Sequence, residues 1–133
     1  MAVETVKTEP ILDIDGTLAR FGGDKELFIE MSGMLLEDAP DLLSELGRAI
    51  DAENAHDVRM RAHALKGLLL GCGGVRAAHI AQVLENAGQA ANLRQAPAQF
   101  ATLQDEFQQL TRALQQFRAL SEVAHTSNGS PST

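Results

Sequence analysis

Residues 100–117 read FATLQDEFQQLTRALQQF, and their large apolar side chains recur at every third or fourth position. These residues are Phe100, Leu103, Phe107, Leu110, Leu114 and Phe117. In an α-helix this spacing places them all on one narrow stripe, while the glutamines and charged residues cover the remaining surface. The stretch therefore predicts a long helix that buries one face against other parts of the chain.

Two further stretches carry apolar stripes with the same period. The first consists of Val58, Ala62, Leu65, Leu69 and Cys72 and ends among the glycines at 71, 73 and 74. The second consists of Ala77, Ile80, Leu84 and Ala87 and lies between those glycines and Gly88. Because glycine is a poor helix former and a common terminator, the pattern predicts two separate helices here.

The region before residue 52 shows a helical pattern that a proline interrupts. Asp24 is a suitable N-cap, and Leu27, Met31 and Leu35 align on one face behind it. Pro40 follows, and a second apolar set of Leu43, Leu46 and Ile50 lies beyond it. Proline removes a backbone donor inside a helix, so the pattern leaves open whether this is one bent helix or two.

The chain shows no sustained alternation of apolar and polar residues, and so we predict an all-α fold. Four stripes joined by short polar connections can bury one another in an up-down-up-down four-helix bundle, with a short additional N-terminal helix before Asp24. We expect the bundle to span residues 11–122, after a flexible N-terminus at 1–10. The last residues, HTSNGSPST, offer nothing apolar to bury, so we predict a disordered tail at 123–133.

Composition excludes several classes of function. The net charge of −7 and the absence of any run of Lys and Arg argue against binding to nucleic acid or to an anionic membrane. A single cysteine, Cys72, cannot form an internal disulfide, and the start MAVETVKTEP lacks the features of a secretory signal. We therefore expect a single-domain cytoplasmic protein whose partners are other proteins.

The stretch LDIDGTL at residues 12–18 resembles the nucleophile loop of the haloacid-dehalogenase phosphohydrolases. In that family the first aspartate, here Asp13, attacks phosphorus, and the second, Asp15, serves as acid and base. Such a nucleophile stands at the end of a buried parallel strand, and the preceding VKTEP with Pro10 is unsuited to a strand. A simpler interpretation is that Asp13 or Thr17 caps the first short helix.

A second face of the helix around residue 63 has an unusual composition. It carries His56, Arg59, Met60, His63, Lys66, Gly67 and Leu70. Glycine inside a helix costs about 1 kcal/mol relative to alanine, and an exposed leucine gains nothing from water. The face is therefore either an ordinary solvated surface or a site built around the imidazole, the ammonium and the bare backbone of residues 63, 66 and 67.

The stretch AHALKGLLLGCGG at residues 62–74 resembles the signature of histidine-containing phosphotransfer (HPt) domains. In that signature His-x-Leu-Lys-Gly is followed by a glycine ten residues after the histidine and by an acidic or amide residue near the end of the next helix. The matching positions are His63, Leu65, Lys66, Gly67, Gly73, Leu84 and Glu85. The similarity extends beyond the signature from about Ile11 to Leu120, with departures at Leu68, Leu69, Leu70 and Ala77.

The resemblance implies that His63 accepts a phosphoryl group and passes it on. A neutral imidazole nitrogen is a good nucleophile near neutral pH, and the phosphoramidate it forms stays reactive. By the same resemblance Lys66 would help to neutralise the charged phosphoryl oxygens. Glu85 would accept a hydrogen bond from Nδ1 of His63 and leave Nε2 free. Gly67 would let the loops of a partner approach the ring.

The resemblance also implies which partners the chain has. These are the receiver domains of response regulators and hybrid sensor histidine kinases, and we expect them to dock on Arg59, Met60, Gly67 and Leu70. Met31 and Met34 either extend this patch or belong to the packing of the bundle. No nucleotide-binding signature is present, so we expect no autonomous ATP-dependent kinase activity. We also expect no cofactor and no metal site, since His56 and His63 lie two turns apart.

Three hypotheses for function follow. The first is a monomeric phosphorelay carrier that accepts a phosphoryl group on His63 from one receiver domain and passes it to another. The second is a module of the same fold that docks a receiver or a kinase and regulates it without turning over phosphate. The third, and least favoured, is a phosphatase that uses Asp13.

Overall fold

The structure, a computed structural model, describes the chain from residue 9 to residue 129, with side chains as far as residue 121. This part of the chain forms five helices and no strand, which confirms the all-α prediction. The helices are α1 (Ile14–Arg20), α2 (Lys25–Asp51), α3 (Ala55–Gly71), α4 (Val75–Gln89) and α5 (Ala96–Gly129). None of these described helices is both long and apolar enough to cross a membrane.

The predicted domain bounds fall at the margins of the described range. Most of the N-terminus at 1–10 lies outside the described residues, as do residues 130–133. The backbone of α5 continues to Gly129, within the segment 123–133 that the sequence predicts to be disordered. The bounds of the bundle therefore stay predictions.

Helices α2 to α5 form a closed ring around one apolar core. Side-chain contacts join α2 to α3, α3 to α4, α4 to α5 and α5 back to α2 through the pairs Glu45–Arg61, His63–Glu85, Arg76–Glu106 and Phe28–Phe117. The connections 52–54, 72–74 and 90–95 are short, so each helix runs antiparallel to the one before it. The up-down-up-down bundle predicted from the sequence is confirmed.

Helix α2 is one continuous helix in spite of its proline. The Asp24 side chain accepts a hydrogen bond from the Leu27 backbone N–H at 3.0 Å, as expected of an N-cap. Pro40 is exposed in the interior of the helix and removes the donor that would bond the Leu36 carbonyl. This result decides the question that the sequence left open.

The apolar stripe predicted for the first half of α2 was wrong at Leu27 and Met31, whereas Leu35 packs against the core as predicted. Leu27 and Met31 are 40% and 37% exposed, whereas Phe28 is fully buried. The Phe28 ring packs edge-on against Phe117 of α5, with ring centroids 5.4 Å apart, and tilted against Phe21 at 6.0 Å. An aromatic ring buries more apolar area than leucine or methionine, so the helix turns Phe28 toward the core.

The aspartates of LDIDGTL lie at the start of helix α1. Asp13 Oδ1 accepts a hydrogen bond from the Gly16 backbone N–H at 3.1 Å, and the Thr17 hydroxyl donates to the Asp13 carbonyl at 2.6 Å. The Asp13 N–H donates to the Gly73 carbonyl at 2.9 Å, which ties α1 to the turn between α3 and α4. The capping interpretation is confirmed, and no strand precedes Asp13 among the residues that the structure describes.

Two glycines, Gly73 and Gly88, allow parts of the chain to pack closely around helix α3. Gly73 has a φ of 82°, which favours glycine, and a Cβ there would collide with Thr17 Oγ1. At Gly88 a Cβ would lie 2.6 Å from the Arg59 backbone N and 2.7 Å from the Ala55 carbonyl oxygen. The end of α4 therefore lies directly on the backbone of α3, and side chains one turn earlier on α4 reach across to α3.

Candidate functional site

His63 projects from the exposed side of helix α3. The opposite side of α3 is buried in the core through Val58, Ala62, Leu65 and Leu69. Because successive helical residues are about 100° apart around the axis, His63 is turned away from Ala62 and toward solvent. Two thirds of its side chain, 66%, is exposed. The ring is therefore accessible to another molecule.

The Glu85 carboxylate holds the inner nitrogen of this ring. His63 Nδ1 lies 3.0 Å from Glu85 Oε2, and the glutamate side chain is only 15% exposed. An ionised carboxylate can only accept a hydrogen bond, so Nδ1 must carry the proton. In the neutral ring the lone pair then resides on Nε2. The contact between Glu85 and Nδ1 that the sequence predicts is present, whereas the roles of both residues stay predictions.

Lys66 fixes the other oxygen of the same carboxylate. Its Nζ lies 2.8 Å from Glu85 Oε1 and donates to Gln82 Oε1 at 2.7 Å. Gln82 Nε2 in turn donates to Asn86 Oδ1 at 2.8 Å. The result is a connected polar cluster across α3 and α4 that begins at the imidazole.

Gln82 and Asn86 were missed in the sequence, although a signal for Gln82 exists. In two antiparallel helices, residue numbers rise along one helix as they fall along the other. If residue 63 of α3 lies opposite residue 85 of α4, residue 66 therefore lies opposite residue 82. That register depends on the close approach at Gly88, which only the structure shows. The resemblance to the family identifies the histidine and the acidic residue, but it does not give the register between α3 and α4.

The charges of this cluster keep the Glu85 carboxylate ionised. The hydrogen bond from Lys66 lowers the pKa of Glu85 below its ordinary value of 4.5, and the contact with His63 lowers it further. Partial burial acts in the opposite direction because it disfavours the charged form. The net shift is downward, so the carboxylate stays charged at any pH above that ordinary value.

We expect the ion pair to contribute less to stability as the pH falls below 4.5. The folded-state pKa of Glu85 is lowered, so its contribution to the free energy of unfolding is present above the unfolded-state pKa and is lost as the pH falls through the folded-state pKa. Carboxyl NMR titration should give a Glu85 midpoint below 4.5. Lys66→Met should raise that midpoint, and an unchanged midpoint in this variant would contradict the assignment.

The remaining predicted residues surround His63 on one face of α3. We call the set Arg59, Met60, His63, Lys66, Gly67 and Leu70 the histidine face, since its members lie three, four or seven positions from His63. Met60 and Leu70 are 52% and 44% exposed, and Arg59 is half-buried. Gly67 is exposed, and a Cβ built on it would meet nothing within 4 Å. The use of this face for docking stays a prediction.

His56 and His79 do not join this cluster. His79 Nδ1 lies 2.8 Å from Glu9 Oε1, a contact that the sequence did not suggest. His56 is exposed in the first turn of α3. Among the side chains of residues 9–121, which are the ones that the structure describes, no three of His, Cys, Asp or Glu are grouped so that they could hold a metal ion.

The fold and the site define a helical bundle that presents an imidazole backed by a partly buried carboxylate. The family model of the Hpt domain matches residues 30–113, which is more than half of the chain. The chain belongs to the Hpt domain family. Hpt domains work in two-component phosphorelays with receiver domains, and this membership supports the role of a phosphotransfer carrier.

Two solved structures share the fold. Histidine-containing phosphotransfer protein B from Pseudomonas aeruginosa is 24% identical, with a TM-score of 0.76 over 83% of this chain and 96% of that one. Histidine-containing phosphotransfer protein MtHPt2 from Medicago truncatula is 21% identical, with a TM-score of 0.78 over 95% of this chain and 89% of that one. At these identities the likeness concerns the fold alone. No curated protein sequence matches the chain.

Proposed function

We propose that this chain is a phosphorelay carrier that accepts a phosphoryl group on His63 from the aspartyl phosphate of one receiver domain and passes it to the aspartate of another. The observation that carries the proposal is the geometry of the imidazole. Its Nδ1 is held by Glu85 at 3.0 Å, and 66% of the side chain is exposed. This arrangement leaves Nε2 as the nitrogen that a partner can reach.

The transfer step uses the lone pair of Nε2. The nitrogen attacks phosphorus, a bond from nitrogen to phosphorus forms, and the bond from phosphorus to the aspartyl oxygen of the receiver breaks. The proton on Nδ1 stays in place, so the phosphorylated ring carries a positive charge that the Glu85 carboxylate stabilises. Transfer to the next receiver reverses these steps with another aspartate.

The main contacts of the Lys66 ammonium are with Glu85 and Gln82, not with open solvent. The sequence suggested that this ammonium neutralises the phosphoryl oxygens, but its Nζ is bonded to Glu85 and Gln82 and its side chain is only 20% exposed. We infer that Lys66 orients the carboxylate and keeps it ionised. The charge that neutralises the phosphoryl oxygens then comes largely from the partner, in which a receiver domain would supply the aspartate and a bound Mg²⁺.

The experiment that tests the carrier role is transfer from a charged receiver. A receiver domain is phosphorylated with radiolabelled acetyl phosphate, separated from the reagent and mixed with this chain. We expect label that is labile in acid and stable in alkali, as for a phosphohistidine, and peptide mapping should locate it at His63. A stable complex with the receiver but no label would instead favour the regulatory docking module, and would overturn the carrier role.

Glu85→Gln is expected to slow phosphoryl transfer by roughly tenfold to a hundredfold, a range typical of one positioned group. Glutamine can still accept the hydrogen bond from Nδ1, but it removes the negative charge that stabilises the phosphorylated ring. The measurement is the rate of transfer from the charged receiver as a function of pH, together with ¹⁵N NMR of the His63 tautomer.

Glu45→Gln is the matched control for this prediction. Glu45 pairs with Arg61 at 2.9 Å on the neighbouring seam between α2 and α3 and does not contact His63. We expect its transfer rate to equal that of the wild type. If Glu85→Gln and Glu85→Ala both transferred at the rate of the wild type, Glu85 would have no positioning role.

A further inference from the structure

The methionines that the structure describes lie on the surface of the bundle. Met31, Met34 and Met60 are 37%, 57% and 52% exposed, and none of the buried core residues among the described part of the chain is a methionine. Met1 lies outside the described residues. Methionine is usually a filler of irregular gaps in cores. At these three positions the thioether is instead accessible from solvent.

These three methionines lie on two neighbouring helices, α2 and α3, close to the histidine face. Met60 belongs to that face and precedes His63 by just under one helical turn. Met31 and Met34 are one turn apart on α2, and Leu35 beside them lies 3.4 Å from the Cβ position of Gly71 at the end of α3. This part of α2 thus lies against the end of α3 that carries the exposed Leu70.

We propose that Met31, Met34 and Met60 are sites of reversible oxidation by hydroperoxides, and that their oxidation weakens the docking of a receiver domain next to His63. The proposal rests on the proposed carrier function. An exposed thioether contributes an apolar, adaptable contact to a partner, and a sulfoxide at the same position is polar. Oxidation would therefore remove apolar contacts around the imidazole without altering the imidazole itself.

The chemistry needs only a hydroperoxide. With hydrogen peroxide, the sulfur lone pair attacks one oxygen and the bond between the two oxygens breaks. The second oxygen leaves as hydroxide, takes the proton of the sulfur-bound oxygen and becomes water. Sulfur is oxidised by two electrons and the peroxide is reduced by two. Methionine sulfoxide reductases reverse the change, one enzyme for each sulfoxide epimer, when a thiol reductant supplies the two electrons and the oxygen leaves as water.

The only cysteine of the chain does not compete for the oxidant. Cys72 is fully buried at the end of α3, and burial raises the pKa of its thiol to about 11. The thiolate is the species that reacts with peroxides, so a buried thiol with this pKa is a poor target. Any effect of mild peroxide treatment on the folded chain is therefore assigned to its methionines.

The test compares the wild type with a variant that combines Met31→Leu, Met34→Leu and Met60→Leu. Each protein is treated alone with hydrogen peroxide, the excess is removed with catalase, and transfer from a charged receiver is then measured below saturation. Each variant is compared with itself before treatment, so that a change in its basal rate cancels. The variant keeps Met1 and Cys72, and any effect of these residues therefore persists in it.

We expect treated wild type to lose about tenfold in transfer rate, the size of effect seen for one well-placed interface contact. The combined leucine variant should keep its own untreated rate, and treatment of the wild-type protein with both sulfoxide reductases should restore transfer. Equal losses in the two proteins, no loss in a wild type shown by mass spectrometry to carry the sulfoxides, or loss of its helical circular dichroism would each overturn the proposal.

Peptide mapping separates this proposal from the carrier function. Sulfoxide at positions 31, 34 and 60 before any change at Cys72 is expected whether or not a receiver transfers its phosphoryl group. If the untreated chain accepts no label, the carrier function fails. If these methionines resist mild peroxide in the folded chain, the oxidation sites fail.

Discussion

His63→Gln is expected to lower phosphoryl acceptance from a charged receiver by more than about a thousandfold, because it removes the attacking nitrogen itself. Glutamine has no group that forms a phosphoramidate under these conditions. Most of the His63 side chain is exposed, so the free energy of unfolding should change by no more than about 0.5 kcal/mol. The measurement is the label transferred to the chain per unit time, with denaturant unfolding of the same preparation as a check on its stability.

Two other histidines provide controls for this prediction. His56→Gln alters an exposed imidazole seven positions earlier on α3, and His79→Gln alters an imidazole whose Nδ1 lies 2.8 Å from Glu9. Neither ring contacts Glu85, so both variants should accept label as the wild type does. Label that persists in His63→Gln, or that disappears in His79→Gln, would place the nucleophile elsewhere.

The fold was predictable because each helix carries its own signal. The stripe from Phe100 to Phe117 and the stripe from Val58 to Cys72 each identify a buried face without reference to the rest of the chain. The first half of α2 is different, since Leu27 and Phe28 are adjacent and both apolar. Which of them enters the core depends on Phe117, which lies 5.4 Å from Phe28 between ring centroids and far away in sequence. Spacing within one helix cannot supply that contact.

The candidate site was predictable in part: the positions of His63 and Glu85 were predicted, and the contacts of Lys66 were not. The position of His63 on an exposed face follows from the phase of the α3 stripe, and the contact with Glu85 was predicted from spacing together with resemblance. The commitment of Lys66 to Glu85 and Gln82 was not predicted. The contact depends on how closely α4 approaches α3 at Gly88. The sequence alone does not show which part of the backbone packs against a given glycine.

Gly67→Gln is expected to block phosphoryl transfer by about a hundredfold or more while making the bundle more stable. A Cβ at this position meets nothing within 4 Å in the free chain, and Gly67 is exposed, so a longer side chain can extend into solvent. Replacing a helical glycine with a good helix former adds about 1 kcal/mol to the free energy of unfolding. The same side chain would occupy the space through which a partner reaches His63, one turn away on the same face. The measurements are denaturant unfolding and transfer from a charged receiver.

A matched glycine separates the steric effect at Gly67 from the gain in stability. Gly33 also lies inside a helix with open space at its Cβ, but it lines the groove beside Phe117 between α2 and α5 rather than the histidine face. Gly33→Gln should therefore raise stability by a similar amount and leave transfer unchanged. Gly67→Ala, which adds only a methyl group, should be stabilised and should transfer faster than Gly67→Gln. We thus expect stability to rise and transfer to fall together only for Gly67→Gln. Normal transfer by this variant would show that partners do not approach His63 across Gly67.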